Sequence, residues 1–423
     1  MDFINLNYEP QEDDLRCLFR IEPSEGVGFK EAASNVAKES SIGTWTHLST
    51  VNDRAKRIKA RVYDIDEPYA KVAYPHELFE LDNISQVLSS IAGNIFGMKL
   101  LEKLRLEDVH LPPVMLEKFR GPQLGLDGIR DLFSVKNRPL LGTIVKPKLG
   151  LDSKGHAEVA YKAWKGGLDI VKDDENLSSM SFNSFERRVE ETMKLKEEAE
   201  KETGHKKEYM GNITAPVSRM KRRADLLLDK GSNYVMIDII TCGCSALQEM
   251  REYLEGKDVS IHCHRAGHAA FTRNKKHGMS MLAVAKLTRL IGGDQLHIGT
   301  AGVGKMEGGE EKVLRIQQEI ESKTVENKEK IFDQDWMDID KTVAVASGGL
   351  HPGSLPPLIK KMGKDIVAQF GGGCHGHPDG TESGARAIRQ ACRAVMEGED
   401  LEERANENEE LRKALGKWKD KTR

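Results

Sequence analysis

The 423-residue chain has no run of about eighteen apolar residues, the length that a membrane-crossing helix needs. Its opening stretch, MDFINLNYEPQEDD, is acidic and carries no apolar segment of the kind that directs secretion. Both absences point to a cytoplasmic protein. Cysteine is scarce: the six residues at 17, 242, 244, 263, 374 and 392 are dispersed, which fits reduced thiols better than a disulfide framework. Cys242-Gly-Cys244 lacks a second Cys or His pair at zinc-site spacing, so it reads as two small buried hydrophobes. Charge of one sign is not in excess either, with 64 basic against 67 acidic residues. That removes the electrostatic footprint expected of a nucleic-acid or anionic-membrane binder. The expected partner is a small molecule.

A chain of this length calls for two domains, or for one barrel with an attached module. From about residue 140, short β-branched runs alternate with charged segments of helical period, the signature of βα units on a parallel sheet. Eight strand candidates can be read: LLGTIVKPK (140–148), LDIVKDD (168–174), YMGNITA (209–215), YVMIDII (234–240), VSIHCHR (259–265), LHIGTAG (296–302), TVAVASGG (342–349) and IVAQFGGG (366–373). Helix-like stretches lie between them, among them SFERRVEETMKLKEEAEKE (184–202) and the more apolar MSMLAVAKLTRLIGG (279–293). Eight such units argue for a C-terminal (β/α)8 TIM barrel, and no G-x-G-x-x-G follows the first strand to favour the rival doubly wound sheet. Residues 1–125 read as a separate α+β (ferredoxin-like) domain, with a strand at 17–22, a helix at 29–41, strands near 56–64 and 69–75, and a helix at 83–97. The charged tail from about 398 to 423 reads as a solvated terminal helix.

Nearly every barrel strand candidate ends in residues fit for chemistry: Lys146 and Lys148, Lys172 to Glu175, Asn212, His262 to Arg265, His297, Ser347, and the Gly371 run. In a barrel these ends share the face on which active sites are built. Asp174 and Glu175 are the hard oxygen donors that magnesium prefers. Lys172 beside them is open to two readings, a salt-bridge partner or an amine that adds carbon dioxide to become a carbamate ligand. Ser347-Gly348-Gly349 and Gly371-Gly372-Gly373 would let backbone N–H groups approach phosphate, and with Arg265 and His297 they suggest two phosphate sites. Lys305 sits in the glycine-rich loop GTAGVGKMEGG (299–309), which reads as a closing loop or as a mobile surface segment. Lys146 and Lys148 flank Pro147, and their mutual repulsion is expected to lower an amine pKa.

Together, GGLDIVKDDEN (166–176), TIVKPKLGL (143–151), ESSIGTWT (39–46), GNIFGMK (93–99), HCHRAGHAAF (262–271), SGGLHPG (347–353) and QFGGGCHGHPDG (369–380) resemble segments of ribulose-1,5-bisphosphate carboxylase/oxygenase (RuBisCO) large subunits. The resemblance runs from about Ala37 to Gly398. It implies a lyase that enolises and carboxylates ribulose-1,5-bisphosphate to two molecules of 3-phosphoglycerate, with oxygen as a competing electrophile. Carried over by position, Lys172 would be the carbamylated lysine and, with Asp174 and Glu175, would hold Mg2+. Lys146 would move protons during enolisation with Lys148 in support, Lys305 would polarise carbon dioxide, and His264 and Ser347 would meet the middle of the substrate. One phosphate would rest on Thr44, Trp45, Gly349, Gly371 and Gly372, the other on Arg265, His297 and Gly348. Glu39 and Asn94 also match active-site positions, and in the family their domain completes the site of a neighbouring subunit, so a homodimer or an assembly of homodimers is implied.

The loop after His297 is one residue longer than in plant-type sequences and is similar to the archaeal form III class. Gly267 and Ile42 depart from the plant pattern, and the chain ends soon after its eighth barrel helix. The archaeal likeness implies salvage of AMP or other nucleoside monophosphates, without a small subunit. The rival readings are a RuBisCO-like enolase or isomerase of methionine salvage, which would alter the residues that handle carbon dioxide and the second phosphate, and a non-enzymatic assembly protein, which would have no use for the retained lysines and acids.

Overall fold

Alternation between β-branched strands and amphipathic helices produces a closed barrel of eight parallel strands in the computed structural model, which describes residues 2–44, 46, 48–305, 309–327 and 330–419. The barrel strands are Leu140–Ile144, Ile170–Lys172, Glu208–Asn212, Tyr234–Asp238, Ser260–His264, Gln295–His297, Val343–Ser347 and Val367–Phe370. They follow one another round the barrel in chain order, and the eighth closes on the first through Leu140↔Val367 to Thr143↔Phe370. All eight expected strands are present. All eight are buried along the whole or nearly the whole of their length, as strands covered on both faces must be.

Inside one end of the barrel, Leu140, Ile170, Met210, Tyr234, Val343 and Val367 pack with Ile129 and Phe133. The last two come from helix Gly125–Phe133, which precedes the first strand and plugs the barrel at the N-terminal ends of the strands. The opposite, C-terminal ends are thereby left for side chains that do chemistry.

The chain resolves into two compact units, the second being Pro122–Ala266, Gly292–Glu321 and Lys341–Arg423, which holds the barrel. The first unit contains Met1–Gly121 and also takes in Gly267–Ile291 and Ser322–Asp340. Its sheet runs in the order Gly278–Met279, Leu101–His110, Leu15–Pro23, Tyr69–Tyr74, Arg61–Asp66, antiparallel except at the Gly278–Met279 edge. Leu101–His110, its longest strand, escaped the sequence reading. The strand expected near 56–64 starts at Arg61, because residues Asp53–Ile58 form a helix capped by Asn52, whose side chain accepts from Ala55 N at 2.9 Å. The helix read within 279–293 is Met281–Ile291, and its Lys286 is buried against Asp108 at 2.8 Å.

One expectation needs correcting. The tail is not a solvated helix: it forms two, Leu401–Glu407 and Glu409–Trp418, and Leu411, Ala414 and Trp418 are buried. Their spacing of three and four residues sets one apolar stripe on the last helix, which packs on Ala387 of the eighth barrel helix, while Trp418 stacks on His351 with centroids 5.7 Å apart. Among the described residues no helix is long and apolar enough to cross a membrane. All six cysteines are free, and Cys242 and Cys244 are half-buried where full burial was expected.

Because Trp418 is only 7% exposed, Trp418→Ala is expected to lower unfolding free energy by about 3 kcal/mol. Urea denaturation measures this, and a loss under about 0.5 kcal/mol would return the tail to the solvated class.

Candidate active site

The second barrel strand ends at Lys172, and the three acids that follow it are not equivalent. Asp173 turns into the barrel wall, where it is fully buried and accepts from Arg188 Nη2 at 3.0 Å, Tyr209 Oη at 2.6 Å and the backbone N–H of Asn212 at 2.9 Å. His156 Nε2 lies 3.2 Å away. Burial alone would raise this carboxyl, but the Arg188 charge, the nearby His156 and the hydrogen bond from Tyr209 hold it far below the usual carboxylate range.

Asp174 and Glu175 turn the other way. Asp174 pairs with Lys146, and Lys148 lies 3.4 Å from Asp174 and 2.5 Å from Glu175. Asn212 pins this turn, its amide donating to the Glu175 and Leu177 carbonyls at 3.1 and 3.2 Å. Burial tends to raise Glu175, yet its interaction with Asp174 and the hydrogen bond it accepts from Lys148 keep it well below its ordinary value. The expectation that Lys146 and Lys148 depress each other fails for Lys148. Its hydrogen bond to Glu175 raises its pKa, and that attraction outweighs a neighbouring like charge.

This division leaves Lys172 without an ion-pair partner among the described residues. Its amine, on a side chain 1% exposed, donates to the Asp173 carbonyl at 2.7 Å and lies 3.3 Å from Met236 Sδ. Burial pushes it down to about 8, against the pull of Asp174 and Glu175 and with help from Lys146. The salt-bridge reading of Lys172 is thus not the arrangement found.

Strands four to seven contribute a hydrogen-bonded file. Tyr234 Oη receives from Gln295 Nε2 at 2.8 Å, and Gln295 Oε1 meets His262 Nδ1 at 2.8 Å. His262 Nε2 meets His297 Nε2 at 2.9 Å, and His297 Nδ1 meets Ser347 Oγ at 2.7 Å. One set of tautomers satisfies every link: His262 donates to Gln295, His297 donates to His262, and the Ser347 hydroxyl donates to His297. Both imidazoles must then be neutral, which agrees with burial holding His262 and His297 well below the usual histidine range. His264 stands against His297, centroids 4.8 Å apart, with its Nδ1 fixed 2.8 Å from Asp238 Oδ1. Arg265, 8% exposed, has no hydrogen-bond or ion-pair partner among the described residues, and burial lowers it to about 10. A buried guanidinium in that condition is suited to an incoming anion.

Gly348 and Gly349 have φ of +109° and +84°, a conformation side chains disfavour. A Cβ on Gly349 would also collide with Lys305, whose N–H donates to the Gly348 carbonyl at 2.9 Å. The loop after strand six is therefore fastened to the glycines after strand seven. Gly371 lies beside the Lys146 stem, and Gly372 opens the short helix Gly372–His375. His375 ties that helix to the first strand, with Nε2 2.9 Å from the Ile144 carbonyl.

Lys146, Lys148, Lys172, Asp174, Glu175, His264, Arg265, His297, Lys305, Ser347, Gly348, Gly349, Gly371 and Gly372 thus all belong to the C-terminal ends of the barrel strands and the loops that follow them. Glu39 at the end of helix Phe29–Glu39, Thr44 in the turn beyond it, and exposed Asn94 opening the turn Asn94–Gly97 belong to the first compact unit. Trp45 lies outside the described residues. The sequence reading missed Asp238, the file through Gln295 and Tyr234, and the wall formed by His156, Arg188 and Tyr209. Asp238 carried a visible signal, since it too ends a barrel strand.

The catalytic-domain model of the ribulose bisphosphate carboxylase large chain matches residues 125–418, and the N-terminal-domain model of the same chain matches residues 2–115. This chain belongs to that family. It is accordingly an enzyme of the carbon–carbon lyase class. Ribulose bisphosphate carboxylase of Methanocaldococcus jannaschii is 50% identical over 99% of this chain and 100% of its own length. The same-named protein of Methanosarcina mazei is 51% identical over 99% of both chains. Among solved structures, dimeric archaeal Rubisco from Hyperthermus butylicus superposes with a TM-score of 0.93 at 47% identity, covering 98% of each chain. The octameric enzyme of Pyrococcus horikoshii, in complex with sulfate, gives 0.92 at 48% identity over 98% of this chain and 96% of that one.

Removing the Arg188 guanidinium strands a buried carboxylate. Arg188→Met is expected to cost about 3–5 kcal/mol of stability, measured by chemical denaturation, whereas Arg223→Met on the neighbouring helix is expected to cost clearly less.

Proposed function

We propose that this chain is a magnesium-dependent ribulose-1,5-bisphosphate carboxylase/oxygenase activated by a carbamate on Lys172. The observation that carries the reading is the condition of Lys172: buried, unpaired, and held near pKa 8 beside two carboxylates that are engaged elsewhere. A neutral amine is what adds carbon dioxide, and a lysine locked in a salt bridge would not supply one.

The donor set fits a magnesium ion only with that modification. Among the described residues no three His, Cys, Asp or Glu side chains are grouped to hold a metal, and Asp174 with Glu175 makes two. The carbamate oxygen on Lys172 would be the third, a count that suits a cation that keeps several waters. When bound, the cation would supply Lewis acidity to the substrate's ketone and enediolate oxygens.

The protein's own side chains would do the rest. Arg265 and His297 with Gly348 would take one phosphate, and Gly349, Gly371 and Gly372, joined by Thr44 and Trp45, the other. Lys146, released from Asp174 once that carboxylate turns to the metal, would hold a proton at the enolising carbons, with Lys148 kept charged by Glu175. His264, oriented by Asp238, and Ser347, oriented by His297, would fix the central hydroxyls. Lys305 would face the incoming carbon dioxide, and Glu39 and Asn94 would reach the site from a neighbouring subunit. The dimeric and octameric relatives support an assembly of homodimers, and their archaeal origin supports a place in nucleoside monophosphate salvage without a small subunit.

Purified protein given ribulose-1,5-bisphosphate, bicarbonate and magnesium under anaerobic conditions is expected to form 3-phosphoglycerate, detected by mass spectrometry. Absence of product from carbamylated protein would refute the assignment. Lys172→Ala is expected to reduce turnover at least about a thousandfold, in line with the removal of a residue that both binds the metal and takes part in proton transfer. Turnover that survived the change would leave the carbamate without a role.

A further inference from the structure

The end of the barrel opposite the active site carries a second concentration of charge. Arg138 lies just before the first barrel strand, as Lys146 lies just beyond it, so the two residues mark opposite ends of the same strand. Beside Arg138 the eighth barrel helix, Thr381–Glu397, presents Arg389, Cys392 and Arg393 around a cavity of about 220 Å³.

The cations on this cavity are not balanced. Arg138 is spent on Asp169, which it grips through both terminal nitrogens at 2.6 and 2.7 Å. Glu397, the acidic residue of the lining, is paired with Arg404. Arg389 and Arg393, one helical turn apart on the same face, have no ion-pair partner among the described residues, and like charges at that spacing repel. The Nη1 of Arg389 is buried with nothing to donate to, while its stem is wedged against Gly167. Lys207 nearby is pushed down to about 8 by burial, with Arg389 and Arg138 adding to the effect against Asp169. Cationic side chains are thus crowded around a cavity whose one lining carboxylate, Glu397, is turned to Arg404, which it shares with Glu399.

We propose that this cavity is a binding site for a phosphate dianion carried by a small molecule, with the phosphate gripped between Arg389 and Arg393. Two uncompensated guanidiniums match a dianion in charge, and their planar forks match phosphate oxygens in geometry. An anion there also removes the repulsion along the helix.

The test compares the full-length protein with an Arg389→Gln/Arg393→Gln variant, in which no residue of the active site is altered and carboxylase turnover is expected to stay within about twofold. Calorimetric titration with inorganic phosphate and, separately, ribose 5-phosphate is expected to show one site per chain more in the wild type than in the variant. Equal affinity for the two probes assigns the site to phosphate alone, and tighter binding of the sugar phosphate assigns it to a phosphorylated metabolite; either outcome supports the site. In phosphate-free buffer the variant is expected to melt at or above the wild-type temperature, and added phosphate to raise the wild type more than the variant. Should the double variant not fold, exposed Arg393→Gln alone is expected to weaken phosphate at this site about tenfold, as loss of one charge-assisted pair does. Equal phosphate stoichiometry and equal thermal response in wild type and variant would overturn the proposal.

Discussion

The chemistry of this barrel depends on how one run of charges, Lys172 to Glu175, is divided among partners. Asp173 is taken into the wall by Arg188, Tyr209 and the Asn212 N–H. Asp174 and Glu175 are drawn out by Lys146 and Lys148. What is left is a buried amine with no counter-charge, and desolvation, the largest influence on it, makes the neutral form accessible near neutral pH. Had Asp173 faced Lys172 instead, a buried ion pair would have locked the amine in its charged form.

The barrel makes that division possible. Parallel strands closed in chain order bring eight strand ends onto one face, so residues far apart in sequence meet there. The same register aligns Gln295 with His262 and His297 with Val345, which places the histidine file across adjacent strands and Ser347 at its end. The file is built of neutral donors and acceptors and carries no net charge into the site. Arg265, by contrast, keeps its charge without a partner, which is the condition expected of a residue that waits for an anion.

Much of this was legible in the sequence. Short β-branched runs alternating with charged segments of helical period marked all eight barrel strands, and their polar ends marked the catalytic face. The strand Leu101–His110 was not legible, because LEKLRLEDVH looks like a charged helix until Lys286, far along the chain, is seen neutralising Asp108. The apolar stripe of Leu411, Ala414 and Trp418 was present in the tail but was obscured by the charges around it. In the site, residue types and positions could be read, whereas the choice between salt bridge and free amine at Lys172 could not. That choice depends on which way three adjacent acids point, and Arg188 on the following helix decides it for Asp173.

The central claim is that Lys172 is unpaired and readily neutral, and a direct titration of its side chain tests it. In protein stripped of carbon dioxide and magnesium, the Lys172 Cε resonance, assigned by comparison with Lys172→Ala, should titrate with a midpoint near 8. Raising the pH through that value then increases the amine fraction able to add carbon dioxide, so carbamate should build up as the pH climbs from about 7 to about 9. A midpoint at or above the ordinary lysine value of about 10.4 would mean that the amine is held as an ammonium ion by a nearby carboxylate, and would contradict the account.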